Sequence, residues 1–357
     1  MKDMAMWRCE MKKALVTQKG LLILAVCIFL RLLTAVMMPE LKDDRIKMSQ
    51  KQYDRYLAVL HGANTPEKSE FIISERDNCE SVKAAQASME MSHREGVLSE
   101  EEWREWQDEL EQAYLHENSS KLWTEKAEQF AGQDEALAPA HYFYEYGWQT
   151  VFFLLSIPDA LTALVFVFLA AQSIGAERSS GMLSILLTAK EGRGRLYAAK
   201  LSTILVICLA AGLLGAVLET AVFAIRGFLR EGGIPIYSET FFATDCPLRL
   251  SLWQGYLIIE ATRIFGALCL AAFTFGLSAW IKKASNLMAV CVAIVGISFL
   301  IPVPTLFLFT FGGILSGSRL LLTSGQTGIP ILLPVLAAFL YGVVSCIVGY
   351  VKYVKPA

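Results

Sequence analysis

Apolar runs long enough to cross a bilayer recur along this 357-residue chain and leave it few architectures. A helix rises 1.5 Å per residue, so about 20 apolar residues cross about 30 Å of hydrocarbon. Residues 20–38 form such a run, interrupted only by Arg31, and five more cover approximately 157–175, 201–225, 257–281, 287–311 and 330–350. The expected fold class is all-α: a polytopic membrane protein with six transmembrane helices. Charged residues are 18% of the chain, against about 25% in soluble domains. The net charge of -2 hides a segregation, because 24 of the 34 acidic residues lie between Glu40 and Glu145.

That acidic stretch is a different material. Residues 39–149 are polar, charged and helical in pattern, and are expected to form a helical extracytoplasmic domain between the first and second spans. Leu41 to His61 suits one helix; Thr65 and Pro66 suit the N-cap and first position of a second. Ser99 with Glu102 forms a capping box for a third. Along it Trp103, Trp106, Leu110 and Tyr114 recur at helical spacing, as a core stripe does. The aromatic cluster from Tyr142 to Trp148 then returns the chain to the bilayer, where such rings prefer the headgroup level.

Short basic loops mark the cytoplasmic side. Residues 1–19 carry Lys2, Arg8, Lys12, Lys13 and Lys19 and read as a cytoplasmic leader, with Trp7, Met11, Ala14 and Leu15 on one face of an interfacial helix. A cleaved signal peptide fits less well, since the following run is long and no A-x-A-like site ends it. Lys282, Lys283 and the tail 352–357 fall inside, and residues 226–253 fall outside and are charge-balanced. Both termini are then cytoplasmic, with five spans in residues 150–351. Residues 176–200 lie at the cytoplasmic face, where Arg178, Lys190, Arg193, Arg195 and Lys200 outnumber Glu177 and Glu191. Met182, Leu183, Leu186 and Leu187 give this segment a short apolar face able to meet a soluble partner.

Ionisable residues inside spans are functional candidates. Arg31 lies eight residues before Pro39 and Glu219 eight before Gly227, so each sits about 12 Å below the outer end of its helix. With Glu260 and Arg263 they form a candidate intramembrane polar layer, in which Glu219 pairs with Arg31 or Arg263. The plainer reading is snorkelling or a structural ion pair. Asp159, beside Ser156 and Pro158, reads as a helix start where a carboxylate suits the dipole. Pro302 and Pro304 interrupt the fifth apolar run, as in a broken helix, and Gly313 and Gly317 have the spacing of a helix-packing motif.

The chain has no Walker nucleotide loop and neither hydrolase motif, HExxH or GxSxG. His61, His93, His116 and His141 lack ligand spacing, so no metal or cofactor is expected in this chain. An acidic soluble domain proposes no nucleic-acid partner. The eight cysteines, mostly within apolar runs, read as small packing residues. Cys79 and Cys246 alone fall outside, and whether they are bridged stays open.

Trp7 to Lys13 is similar to the basic leader of the type-2 ABC transporter permeases. Glu177-Arg178-Ser179-Ser180-Gly181-Met182, then Leu186-Leu187, Arg193, Arg195 and Ala199-Lys200, resembles their E-x-x-S-G run with trailing basic residues. Tyr144 to Trp148, Leu250 to Gln254 and Gly328 to Pro330 resemble a Firmicute-like subgroup with a helical insert. The resemblance implies the membrane subunit of a bacterial exporter in the plasma membrane, without its own ATPase. A cytosolic ABC ATPase, holding ATP and Mg, would dock on Gly181 to Leu187. Glu177 would meet basic groups, and Arg193, Arg195 and Lys200 would hold the segment against anionic lipid or the ATPase. A homodimer, or a heterodimer with a second permease, would complete the unit. The alternative is a non-transport sensor or scaffold with a ligand-binding ectodomain.

Overall fold

The computed structural model describes residues 2–48, 50–131, 138–179, 193–242 and 248–354. In chain order the helices are α1 (Lys2–Lys12), α2 (Gly20–Met37), α3 (Asp44–Met48), α4 (Gln50–Leu60), α5 (Pro66–Ala84), α6 (Gln86–Arg94), α7 (Glu100–Ala131) and α8 (Tyr146–Ser156). They continue as α9 (Ala160–Ser179), α10 (Arg193–Ile225), α11 (Leu252–Leu277), α12 (Ala284–Ser298), α13 (Pro304–Leu308), α14 (Phe311–Leu315), α15 (Gly317–Thr327) and α16 (Leu332–Val354). Among the described residues the fold is all-α apart from a two-residue ladder, β1 (Gly62–Ala63) against β2 (His141–Tyr142), antiparallel with Gly62 opposite Tyr142, and an isolated bridge between Pro235 and Ser251. Two compact units result: Met1–Met38, Val151–Phe228 and Gln254–Ala357 form the first, and Pro39–Thr150 with Leu229–Trp253 the second.

Among the described residues, five helical stretches of the chain are long and apolar enough to cross a membrane: Gly20–Met37, Tyr146–Gly175, Arg193–Ile225, Leu252–Leu277 and Leu332–Val354. The expected span over 287–311 is not one helix. α12 stops at Ser298 after 15 residues, about 22 Å. Pro302 and Pro304 cannot continue its hydrogen-bond ladder, and Pro304 instead opens the short α13. Gly313 and Gly317 also fall on separate helices, α14 and α15, rather than on one packing face.

The core of the first unit is built from Phe166, Leu169, Ile174, Ile204, Leu270 and Phe275. Its outer faces expose Phe29, Leu214, Val217 and Ile347, the pattern expected where lipid is the solvent. Small residues bring α11 and α16 together: a Cβ at Gly276 would overlap the Ser345 backbone, and one at Gly342 would lie 3.2 Å from the Cys269 carbonyl. Close backbone approach of this kind supplies the packing that hydrocarbon cannot drive by itself. Cys27, Cys208, Cys269 and Cys291 are buried in this unit as free thiols. At the leader, Lys19 takes a left-handed conformation (φ 55°) before α2 begins. Gly20 has no room for a side chain, because a Cβ there would overlap the Ala14 carbonyl.

The second unit is held by aromatic residues. Tyr53 stacks on Trp123 at 5.0 Å between centroids, and Tyr142, Tyr146 and Tyr237 join the same core. Phe143 and Trp148 are also fully buried, so most rings of the cluster from Tyr142 to Trp148 pack inside the protein. α7 starts where the capping box predicts: Glu102 Oε2 accepts from the Ser99 N–H at 2.9 Å, and Ser99 Oγ accepts from the Glu102 N–H at 3.3 Å. Trp103 stacks on His93 and on Trp106, whereas Tyr114 is exposed and donates to Gln86 Oε1 at 2.9 Å. Thr65 and Pro66 occupy the N-cap and first turn of α5, but the Thr65 hydroxyl makes no cap bond. Where one helix was expected over 41–61, the chain is helical from Asp44. Tyr53, Trp123 and Tyr146 line a cavity of about 390 Å³ together with Arg45, Lys126 and Glu145.

Candidate functional site

A single arginine organises the interior of the first unit. α2 carries Arg31 inward, and its guanidinium meets carboxylates from three other segments. Nε donates to Glu219 Oε2 on α10 at 2.6 Å, and Nη2 pairs with the same oxygen. Nη2 also reaches Glu260 Oε2 on α11 at 3.1 Å, and Nη1 pairs with Asp159 Oδ2 at 3.0 Å. A second guanidinium closes the cluster: Arg263 Nη1 meets Glu260 Oε1 at 3.0 Å, one turn away on the same helix, and Nη2 lies 3.7 Å from Asp159 Oδ2. Arginine suits this hub because its donors form a planar fork with a fixed charge. All five side chains are 8% exposed or less, so the cluster is a buried network and none of its members snorkels.

Local sequence explains how each member is aimed. Gly215 places α10 close to the fork, where a Cβ would sit in ordinary contact, 3.5 Å from Arg31 Nη1. Gly317 lets α15 begin against α11, where a Cβ would come within 2.6 Å of Ile259 Cγ2 and 3.0 Å of Arg263 Cγ. The Tyr256 hydroxyl, one turn before Glu260, hydrogen-bonds Thr220 Oγ1 at 2.7 Å and links α11 to α10 beside the ions. Arg226 donates to the carbonyls of Ala35 and Met38, tying the end of α10 to the end of α2.

Asp159 has two jobs, of which only one was expected. Its Oδ1 accepts from the Thr162 N–H at 3.1 Å, as a helix start requires, while Oδ2 joins the cluster. Pro158 breaks the long apolar stretch at that point, and the cap fixes the carboxyl at the level of Arg31. Glu219 meets Arg31 alone of the two arginines.

A second ionic network occupies the flanks of residues 180–192. Glu177, 2% exposed at the end of α9, pairs with Lys13 and with Lys200 of α10, the latter at 2.7 Å. Lys200 also meets Glu10 at 2.7 Å and is fully buried. Lys200 therefore does not face lipid or a partner, because the leader supplies its counter-ion. Glu10 and Lys13, missed from the sequence, lie three residues apart on one face; that spacing was the available signal. Arg178 donates to the carbonyls of Ser278, Ala279 and Ile281 beyond α11, and Arg193 to that of Val354 at the end of α16, at 3.2 Å. Such contacts satisfy carbonyls that a helix end leaves without partners. Arg195 is exposed. Gly181, Met182, Leu183, Leu186 and Leu187 lie outside the described residues, as does Cys246.

Helical stretches of membrane length, built around a buried ion cluster, are those of a multi-pass membrane protein. The chain belongs to the ABC-2 family of transporter proteins, whose family model matches residues 4–321. It is thus a permease component of an ABC transporter, a family that normally works with an ATPase subunit. No curated protein and no solved structure matches the chain.

Proposed function

We propose that this chain is the membrane subunit of an exporter in a bacterial plasma membrane, driven by a separate cytosolic ATPase that holds ATP and Mg. Docking would fall on residues 176–200, with Gly181 allowing the turn and Met182 to Leu187 offering the apolar face. The observation that carries this reading is the way the flanks of that segment are tied. Glu177 and Lys200 anchor one side to the leader, while Arg178 and Arg193 hold the ends of α11 and α16. A push on the segment therefore reaches several spans at once. In this reading α12 with α13 completes a sixth crossing, both termini are cytoplasmic, and the second unit is the extracytoplasmic insert of a Firmicute-like subgroup. A second permease, identical or not, would complete the pathway within the lipid.

Extraction in mild detergent followed by mass spectrometry tests the coupling. Wild type is expected to carry a stoichiometric ATPase with Walker motifs, and Gly181→Pro with Glu177→Ala is expected to lose it. An intact complex without any ATPase would overturn the reading in favour of a sensor, for which the 390 Å³ cavity of the second unit is the starting point.

A further inference from the structure

The charge at the Arg31 cluster does not balance. Three carboxyls, Asp159, Glu219 and Glu260, face two guanidiniums, Arg31 and Arg263. With every group ionised the cluster would hold one negative charge in excess, three against two. Its members sit on four of the stretches long and apolar enough to cross a membrane, where an uncompensated charge is costly. Buried groups escape that cost by changing protonation state. Guanidiniums do not give up a proton in proteins, so the adjustment falls on a carboxyl.

Geometry distinguishes the three carboxyls. Asp159 meets both guanidiniums and also accepts the Thr162 N–H. Glu260 likewise meets both. Glu219 meets Arg31 only, and both contacts run through the single oxygen Oε2. The groups around Glu219 are Arg31 from α2, Asp159 before α9, and Glu260, Arg263 and Tyr256 from α11.

We propose that Glu219 is a proton-binding site, carrying one proton on Oε1 in this conformation. Asp159 and Glu260 then stay ionised against the two arginines, and the cluster is neutral. The proton comes from water and is returned to water, with no other bond made or broken. Separating Arg31 from its partners, or admitting water, releases or rearranges that proton, so a permease that works through this cluster exchanges a proton with each opening. The inference rests on the membrane placement of the spans and not on export or ATPase docking, so it can fail while that reading stands, and the reverse.

Infrared spectroscopy of the full-length protein in lipid nanodiscs near neutral pH tests it directly. The difference spectrum, wild type minus Glu219→Gln, is expected to show the carbonyl stretch of a protonated carboxyl; taking the difference cancels any other buried acid. In thermal unfolding, Glu219→Gln is expected to keep the wild-type Tm, because the amide is the uncharged isostere of the protonated acid. Glu260→Gln and Asp159→Asn, which remove ionised partners of both arginines, are expected to lower it. No difference band overturns the proposal. So does a Glu219→Gln protein that fails to fold, or whose Tm falls as far as that of Glu260→Gln.

Discussion

Two ionic networks lie within the first unit, one buried throughout and one partly exposed at the leader, and they solve the problem of charge in an apolar body differently. At the leader the described pairs set two carboxyls, Glu10 and Glu177, against two lysines, Lys13 and Lys200. The network at Arg31 sets three carboxyls on two guanidiniums. Lysines, as compact point charges, serve the first; forked arginines, which address several carboxylates at once, serve the second. A balanced network is a fastening and tolerates removal in matched pairs. An unbalanced one depends on the state of its surplus member, and that dependence is what a moving part can use.

Replacing the hub tests the contrast most severely. Arg31→Leu leaves three buried carboxyls with Arg263 alone, and uncompensated buried charge typically costs about 3–5 kcal/mol for one broken pair. The expected outcome is loss of monodisperse protein on extraction, with no recovery from any single carboxyl-to-amide change. A milder break falls at the leader. Lys200→Met should cost about 3 kcal/mol by taking from Glu10 its lysine and from Glu177 one of its two, read as a fall in Tm, and adding Glu177→Met should return much of it by removing a matched charge. If the double variant is no better than the single, the fastening description is wrong.

The smallest expected effect lies in the second unit and sharpens the contrast with acids outside the spans. Burial pushes the Glu239 carboxyl well above the ordinary glutamate range, with Glu145 adding to the push and Lys126 opposing it. From about pH 4.3 upward the unfolded chain releases a proton that the folded unit keeps, so stability falls as pH rises toward the folded value. Glu239→Gln should flatten that fall when unfolding is followed through tryptophan fluorescence across pH. An unchanged slope would assign the pH dependence to other groups.

Local chemistry was legible in the sequence and tertiary pairing was not. Ser99 and Glu102 announce the start of α7 because both halves of a capping box lie within one turn. Pro302 and Pro304 announce a break for the same reason, yet counting apolar residues alone still suggests a full span over 287–311. The ionisable residues in spans stand out by their expense, which is why Arg31, Glu219, Glu260 and Arg263 are conspicuous in the sequence alone. Asp159 is equally conspicuous, but its cap role is local and its pairing with Arg31 depends on how four segments align. Lys200 shows the limit most clearly: its charge suggests a surface, and its burial is explained by Glu177 together with Glu10, the latter 190 residues away in sequence.

Arg31 ties its own helix to three other segments through one planar group a few ångströms across, and this has a mechanical consequence. Contacts near 3 Å tolerate only small displacements before they fail, so no one of these helices can slide past the others while the fork stays engaged. Graded motion is therefore suppressed. One side chain is common to every one of these contacts, so withdrawing it unfastens all three carboxyls from α2 at once.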